Sequence, residues 1–165
     1  MRVIGLAGWS GAGKTTLLRR LIPALIGRGL SVSTLKHAHH GFDIDQPGKD
    51  SWEHRQAGAT EVLIGSANRW ALMHELRGSA EPGLPALLAR LSPVDIVLVE
   101  GFKRGPQPKI EVHRDANGKP FLHDEDGSIV AIATDAPETF SVPKVHIDDI
   151  EGIAGLVTTH AAAVG

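Results

Sequence analysis

Eight residues near the start of the chain, Gly8, Trp9, Ser10, Gly11, Ala12, Gly13, Lys14 and Thr15, satisfy the spacing G-x-x-x-x-G-K-[ST] at every fixed position. These residue types suit phosphate binding. Gly11 and Gly13 let the backbone curl so that successive N–H groups, with Ala12 between them, converge on phosphate oxygens. A helix starting at Lys14 adds its partial positive charge. Lys14 reaches β- and γ-phosphates, Thr15 ligates Mg²⁺ and Thr16 donates to an α-phosphate. The competing reading is a glycine-rich turn with a chance lysine. It is weaker because an apolar run precedes the motif and an amphipathic one follows it.

A magnesium-bound nucleotide also needs a carboxylate at the carboxyl end of a neighbouring strand. Asp95 and Glu100 flank the apolar run 96–99 and stand roughly 16 Å apart at strand rise. In a parallel sheet the phosphate loop follows the carboxyl end of its own strand, so Glu100 is expected beside it and Asp95 at the far edge.

Two more loops carry reactive side chains. Residues 36–51 follow a second strand and hold Asp43 and Asp45, either of which would complete a magnesium shell or orient water. The same loop holds His37, His39 and His40. They read as a transition-metal set or as an anion-binding or switch element, and the lack of cysteine favours the second for His37 and His39. Directly after Glu100, the glycine–proline loop 101–109 carries Lys103, Arg104 and Lys109. Its position points to a second phosphate-bearing ligand, and so does that of Arg55; the plain alternative is a solvated charged face.

These groups must be held by a scaffold. Residues 2–7 read as a buried strand, and Leu17, Leu18, Leu21, Ile22, Leu25 and Ile26 form a helical stripe that Pro23 is expected to kink or split. Residues 31–36 read as a second strand. Asp50 with Glu53 is expected to cap a short helix through 56 or 57. Residues 61–65 and 69–76 read as a hairpin, and Leu84, Leu87, Leu88 and Leu91 as a helix. Residues 110–114 and 121–122 flank Asn117-Gly118, which predicts another hairpin. Further strands are expected at 129–134 and 145–147, and a closing helix at 150–163. The expectation is one α/β domain over 1–165, a mostly parallel sheet of the P-loop NTPase type flanked by helices, with a β-hairpin added.

Composition narrows the options. The 165 residues carry a net charge of −2, no cysteine, 42% hydrophobic and 22% charged residues. No disulfide scaffold, thiolate nucleophile or zinc or iron–sulfur site built on cysteine sulfur is available. A near-neutral balance argues against a nucleic-acid coat, and no apolar run approaches the roughly 18 residues of a spanning helix. Glycine-rich sequence begins too early for a signal peptide, so a cytoplasmic protein with neither nucleic-acid nor membrane partner is expected.

Residues 8–16, Lys-His-Ala-His-His at 36–40, the run 42–51, Val-Glu-Gly-Phe-Lys at 99–103 and Pro-Lys-Ile-Glu-Val at 108–112 occur in one order and spacing. Together they resemble the molybdopterin-guanine dinucleotide biosynthesis adapter protein B family over nearly the whole chain. The resemblance implies a homodimeric GTP-binding protein with weak intrinsic GTPase activity and Mg²⁺ as cofactor. Such proteins assist a partner guanylyltransferase that joins GMP to molybdopterin. It maps the nucleotide site onto Gly11, Ala12, Gly13, Lys14, Thr15 and Thr16, and the magnesium-side acids onto Asp45 and Glu100. The usual guanine-reading Asn-Lys-x-Asp is absent. Asp135, at the end of a strand, is the candidate acceptor for guanine N1 and N2 hydrogens. No glutamine or arginine has a fixed spacing to the phosphate loop, Gln46 and Arg55 being nearest, so slow hydrolysis is expected. The competing functions are a nickel-delivery metallochaperone GTPase, which the histidines favour, and a small-molecule kinase. A purely non-enzymatic adapter would share every residue.

Overall fold

The apolar run at the amino end forms strand β1, Arg2–Ala7, in the computed structural model, which describes residues 1–38, 41–102 and 105–163. The later strands are β2 Val32–Lys36, β3 Glu61–Gly65, β4 Trp70–His74, β5 Ile96–Glu100, β6 Lys109–His113, β7 Ile129–Thr134 and β8 Lys144–His146. The helices are α1 Lys14–Gly27, α2 Asp50–Gln56, α3 Leu84–Leu88 and α4 Ile150–His160. By its contacts the chain divides into two compact units, Met1–His37 with Leu84–Gly165, and Ala38–Gly83.

The first unit is built on a six-stranded sheet of order β2-β5-β1-β6-β7-β8. Every neighbouring pair in it is parallel. Alternation along the strands sends side chains to two faces. Ile4, Leu6, Ile96, Leu98, Ile110 and Val112 pack with Leu17, Leu21 and Leu25 of α1 and Ile153, Ala154 and Val157 of α4. Val3, Val97 and Val99 pack on the other face with Leu84 and Leu88 of α3. Because β6 begins opposite Gly5, the lower part of β1 would be an open edge. Ala162 fills it by exchanging backbone hydrogen bonds with Val3, 2.7 and 3.1 Å.

The second unit holds α2 and a separate antiparallel hairpin of β3 and β4. Val62 of β3 is buried, and Leu63 pairs across the strands with Leu72 on the exposed side. None of the described helices is long and apolar enough to cross a membrane.

Three local expectations are corrected. Pro23 does not split α1, which runs unbroken through it. The proline is exposed, as is Arg19, whose carbonyl it deprives of an N–H partner, while Leu21 and Leu25 stay buried. Asp50 is not a cap. Lys49 occupies the N-cap with no side-chain hydrogen bond, and Asp50 and Glu53 lie in the first turn, where the helix dipole favours acids.

The Asn117-Gly118 hairpin also does not form. Both edges of β6 are already taken, by β1 and β7, so residues 121–122 have no edge to join. Asn117 instead ends a 3-10 turn, Asp115–Asn117, closed by Gly118 in the left-handed region at φ 57°. The returning chain is pinned by the buried Glu111 carboxylate, which accepts from the N–H groups of Leu122 at 2.7 Å and His123 at 3.0 Å.

Candidate functional site

An all-parallel sheet gathers the carboxyl ends of its strands along one edge. The phosphate loop leaves β1 at that edge. Gly8, Gly11 and Gly13 have φ of 146°, 81° and 92°, values that disfavour any side chain with a Cβ. Gly8 is also a close approach, since a Cβ there would lie 2.3 Å from the Val112 carbonyl oxygen of β6. Ala12 is buried and its N–H donates to the Trp9 carbonyl at 3.2 Å. Gly13 is the N-cap of α1. The Lys14 ammonium donates to the carbonyl oxygens of Gly8 at 2.8 Å and Trp9 at 3.0 Å. Thr15 and Thr16 lie exposed on the first turn of the helix.

Glu100 ends β5 in register with Leu6 of β1 and Lys36 of β2. Its side chain is 15% exposed and stands 3.9 Å from the Lys36 ammonium, an ion pair too long for a hydrogen bond. The hydroxyl of Thr15 and this carboxylate are hard oxygen donors, the set magnesium takes. Asp95 lies at the opposite end of β5. Its carboxylate accepts from the Ser31 N–H at 2.8 Å and hydroxyl at 2.6 Å, and these bonds hold its pKa below the ordinary value.

His37 follows β2, and its N–H donates to the Glu100 carbonyl at 2.8 Å. Its ring lies 4.8 Å from that of Phe102. The approach requires Gly101, where a Cβ would come within 2.5 Å of the His37 Cβ. Lys109 is buried at 2% exposure. Its ammonium donates to the Gly105 carbonyl at 3.2 Å and to the Ser128 hydroxyl, and it pairs with Asp126 at 3.3 Å. Asp135 follows β7 and accepts from the Asp115 N–H at 2.9 Å. That bond, opposed by partial burial and helped by Arg114, keeps its pKa low.

Within the second unit Arg55 is the centre of an acidic cluster. It pairs with Asp45 at 2.7 Å, Asp43 at 2.8 Å and Glu75 at 3.3 Å. The hydrogen bond to Asp45, whose side chain is 1% exposed, raises the guanidinium pKa further. Among the described residues no group of three or more histidine, aspartate and glutamate side chains is arranged to hold a metal ion. His39, Lys103 and Arg104 lie outside the described residues.

The 3-10 turn after β6, where the sequence predicts a hairpin, also lies at this edge. Arg114 Nε stands 3.7 Å from the position of a Cβ on Gly13, and the Asn117 side-chain amide 3.8 Å from that on Gly11. The Trp9 indole N–H donates to the Pro120 carbonyl at 2.8 Å. The signal that would have found this turn is strand polarity: a parallel β6 ends at the same edge as β1.

The family described as molybdopterin guanine dinucleotide synthesis protein B matches residues 3–135. A molybdopterin-guanine dinucleotide biosynthesis adapter protein of Escherichia coli is 44% identical over 158 residues, covering 94% of this chain and 90% of its own. The protein of the same description from Haemophilus influenzae is 41% identical, covering 94% and 86%. A crystal structure of a molybdopterin-guanine biosynthesis protein B superposes with a TM-score of 0.76 at 27% identity, over 95% of this chain and 98% of that one. The Bacillus subtilis MobB structure, at 24% identity and a TM-score of 0.73, covers 99% and 100% and shares the fold.

Proposed function

The chain belongs to the molybdopterin guanine dinucleotide synthesis protein B family, and from that membership we propose that it binds GTP on residues 8–16 and acts as an adapter in attaching GMP to molybdopterin. The observation that carries the reading is the loop itself, with three glycines at positive φ and Lys14 at the head of α1. The adapter role is drawn from the similar proteins of Escherichia coli and Haemophilus influenzae.

In this reading the loop N–H groups and Lys14 bind the phosphates, and Thr16 donates to the first of them. Thr15 and Glu100 would hold magnesium, which when bound neutralises phosphate charge. Asp135 would accept from guanine N1 and N2. Intrinsic hydrolysis is slow, consistent with Arg55 being paired to three carboxylates. Lys103 and Arg104 would meet the second phosphate-bearing ligand or the partner guanylyltransferase. The proposal extends to a homodimer, for which Leu63, Trp70 and Leu72, exposed on the β3–β4 hairpin, are surface that a partner would cover.

The test supplies guanylyltransferase, molybdopterin, GTP and magnesium, with and without this protein, and measures guanine dinucleotide cofactor. Wild-type protein should raise the yield and Lys14→Ala should not. Equal yields without the protein would overturn the adapter role.

A further inference from the structure

We propose that Arg114 is a phosphate ligand of the nucleotide site, held in reserve by two carboxylates until a nucleotide arrives. The inference rests on the reading of residues 8–16 as a nucleotide site and adds to it a cation from another strand.

Three observations support it. The first is place. Arg114 follows β6 and its Nε lies 3.7 Å from the Cβ position of Gly13, the residue that caps α1. Unpaired N–H groups at that helix end attract an anion. The same turn brings Asn117 against Gly11, and the Asn117 Nδ2 is buried with no hydrogen-bond partner. The turn therefore lies along the phosphate loop at both of its inner glycines.

The second is the weakness of the arginine's present partners. Arg114 meets Asp135 at 3.3 Å and Asp148 at 3.8 Å, with its own side chain 36% exposed. Strong guanidinium–carboxylate bonds are shorter, about 2.7–2.9 Å, and pairs this exposed contribute little. A phosphate group with more charge and more acceptor oxygens can displace them.

The third is that neither carboxylate is stranded by the exchange. Asp148 keeps Arg20, whose guanidinium donates to its carboxylate at 3.0 Å and its carbonyl at 3.2 Å. Asp135 keeps the Asp115 N–H at 2.9 Å. Leaving a buried charge unpaired would oppose the movement, and here each acid retains a donor. The planar guanidinium suits the role, because it can present paired N–H groups to phosphate as a lysine cannot.

The test measures binding of a non-hydrolysable GTP analogue and of GMP by calorimetry to wild type, Arg114→Ala, Arg114→Lys, Asp148→Asn and Lys14→Ala, with a nucleotide-free thermal melt of each. Arg114→Ala should weaken binding of the triphosphate analogue by about tenfold or more, as loss of a charged hydrogen bond does, and Arg114→Lys should restore only part of it. Asp148→Asn should tighten binding, because it removes a competitor for the arginine; a purely structural pair would weaken binding or leave it unchanged. Wild-type affinity in Arg114→Ala, or unchanged or weaker binding in Asp148→Asn, overturns the inference. If wild type binds and Lys14→Ala does not, while Arg114→Ala binds normally, the nucleotide site stands and the inference alone fails. If wild type binds no nucleotide, both fall.

Discussion

The ammonium of Lys14 donates to the carbonyl oxygen of Gly8 at 2.8 Å, so the last part of the phosphate loop is tied back to its first residue. The lysine is already satisfied before any phosphate arrives, and binding exchanges carbonyl partners for anionic oxygens. A charged hydrogen bond gains about 1.5–3 kcal/mol in such an exchange. Lys14→Ala should therefore weaken a non-hydrolysable GTP analogue by roughly ten- to a hundredfold, read by titration calorimetry. Unchanged affinity would make the loop structural.

Glu100 and Asp95 end the same run of strand at opposite edges of the sheet. Glu100→Gln should reduce the magnesium dependence of nucleotide binding and of any hydrolysis, and Asp95→Asn should leave both near wild type. A magnesium titration of each variant checks the ranking, and the reverse order would remove Glu100 from the site.

Gly8 combines φ of 146° with a neighbour that cannot retreat, the Val112 backbone carbonyl 2.3 Å from a Cβ. Gly8→Ala should destabilise the fold by about 2 kcal/mol or more, which lowers the melting temperature by roughly 4–8 °C in a chain of this size. Gly27, at the end of α1 with open space around it, is the control. Gly27→Ala should be neutral or slightly stabilising. Similar melting curves for the two variants would contradict the close approach.

Asp95 makes stability depend on acid. Ser31 holds its pKa in the folded state below the ordinary value. A depressed folded value contributes stability that is present above the unfolded pKa, near 3.9, and is lost as pH falls through the lower folded value. The difference in melting temperature between wild type and Asp95→Asn should be greatest near neutral pH and should close below about pH 4. A difference constant from pH 7 to pH 3 would show that the Ser31 bonds do not depend on the charge.

Lys103 and Arg104 continue from Glu100, and in the proposed function they serve a ligand other than GTP. Replacing both by alanine should keep GTP affinity within about threefold, since Lys14 and backbone N–H groups supply that binding. Formation of guanine dinucleotide cofactor with partner and molybdopterin should fall sharply. If GTP affinity falls as well, the two cations belong to the nucleotide site; if cofactor formation is unchanged, they are surface charge.

The phosphate loop could be read from sequence because its signals are local. Two glycines, a lysine and a threonine at fixed spacing declare it, and an apolar strand and helical stripe on either side place it. Strand polarity then separated Glu100 from Asp95, since five residues of extended chain reach across a sheet. Pro23 and Asn117-Gly118 misled for the same reason that local signals usually help: each states a preference without stating what surrounds it. The helix continues through Pro23 because that face meets water, and the hairpin fails because β1 and β7 already occupy both edges of β6. Lys109 and Glu111 could not be recognised as buried, because the Asp126 carboxylate and the Leu122 and His123 N–H groups that satisfy them come from a later loop. Arg114, Asp135 and Asp148 are likewise far apart in the chain and meet only where parallel strands end together. Local spacing determines the chemistry of the loop, and pairing between distant segments decides which charges stand beside it.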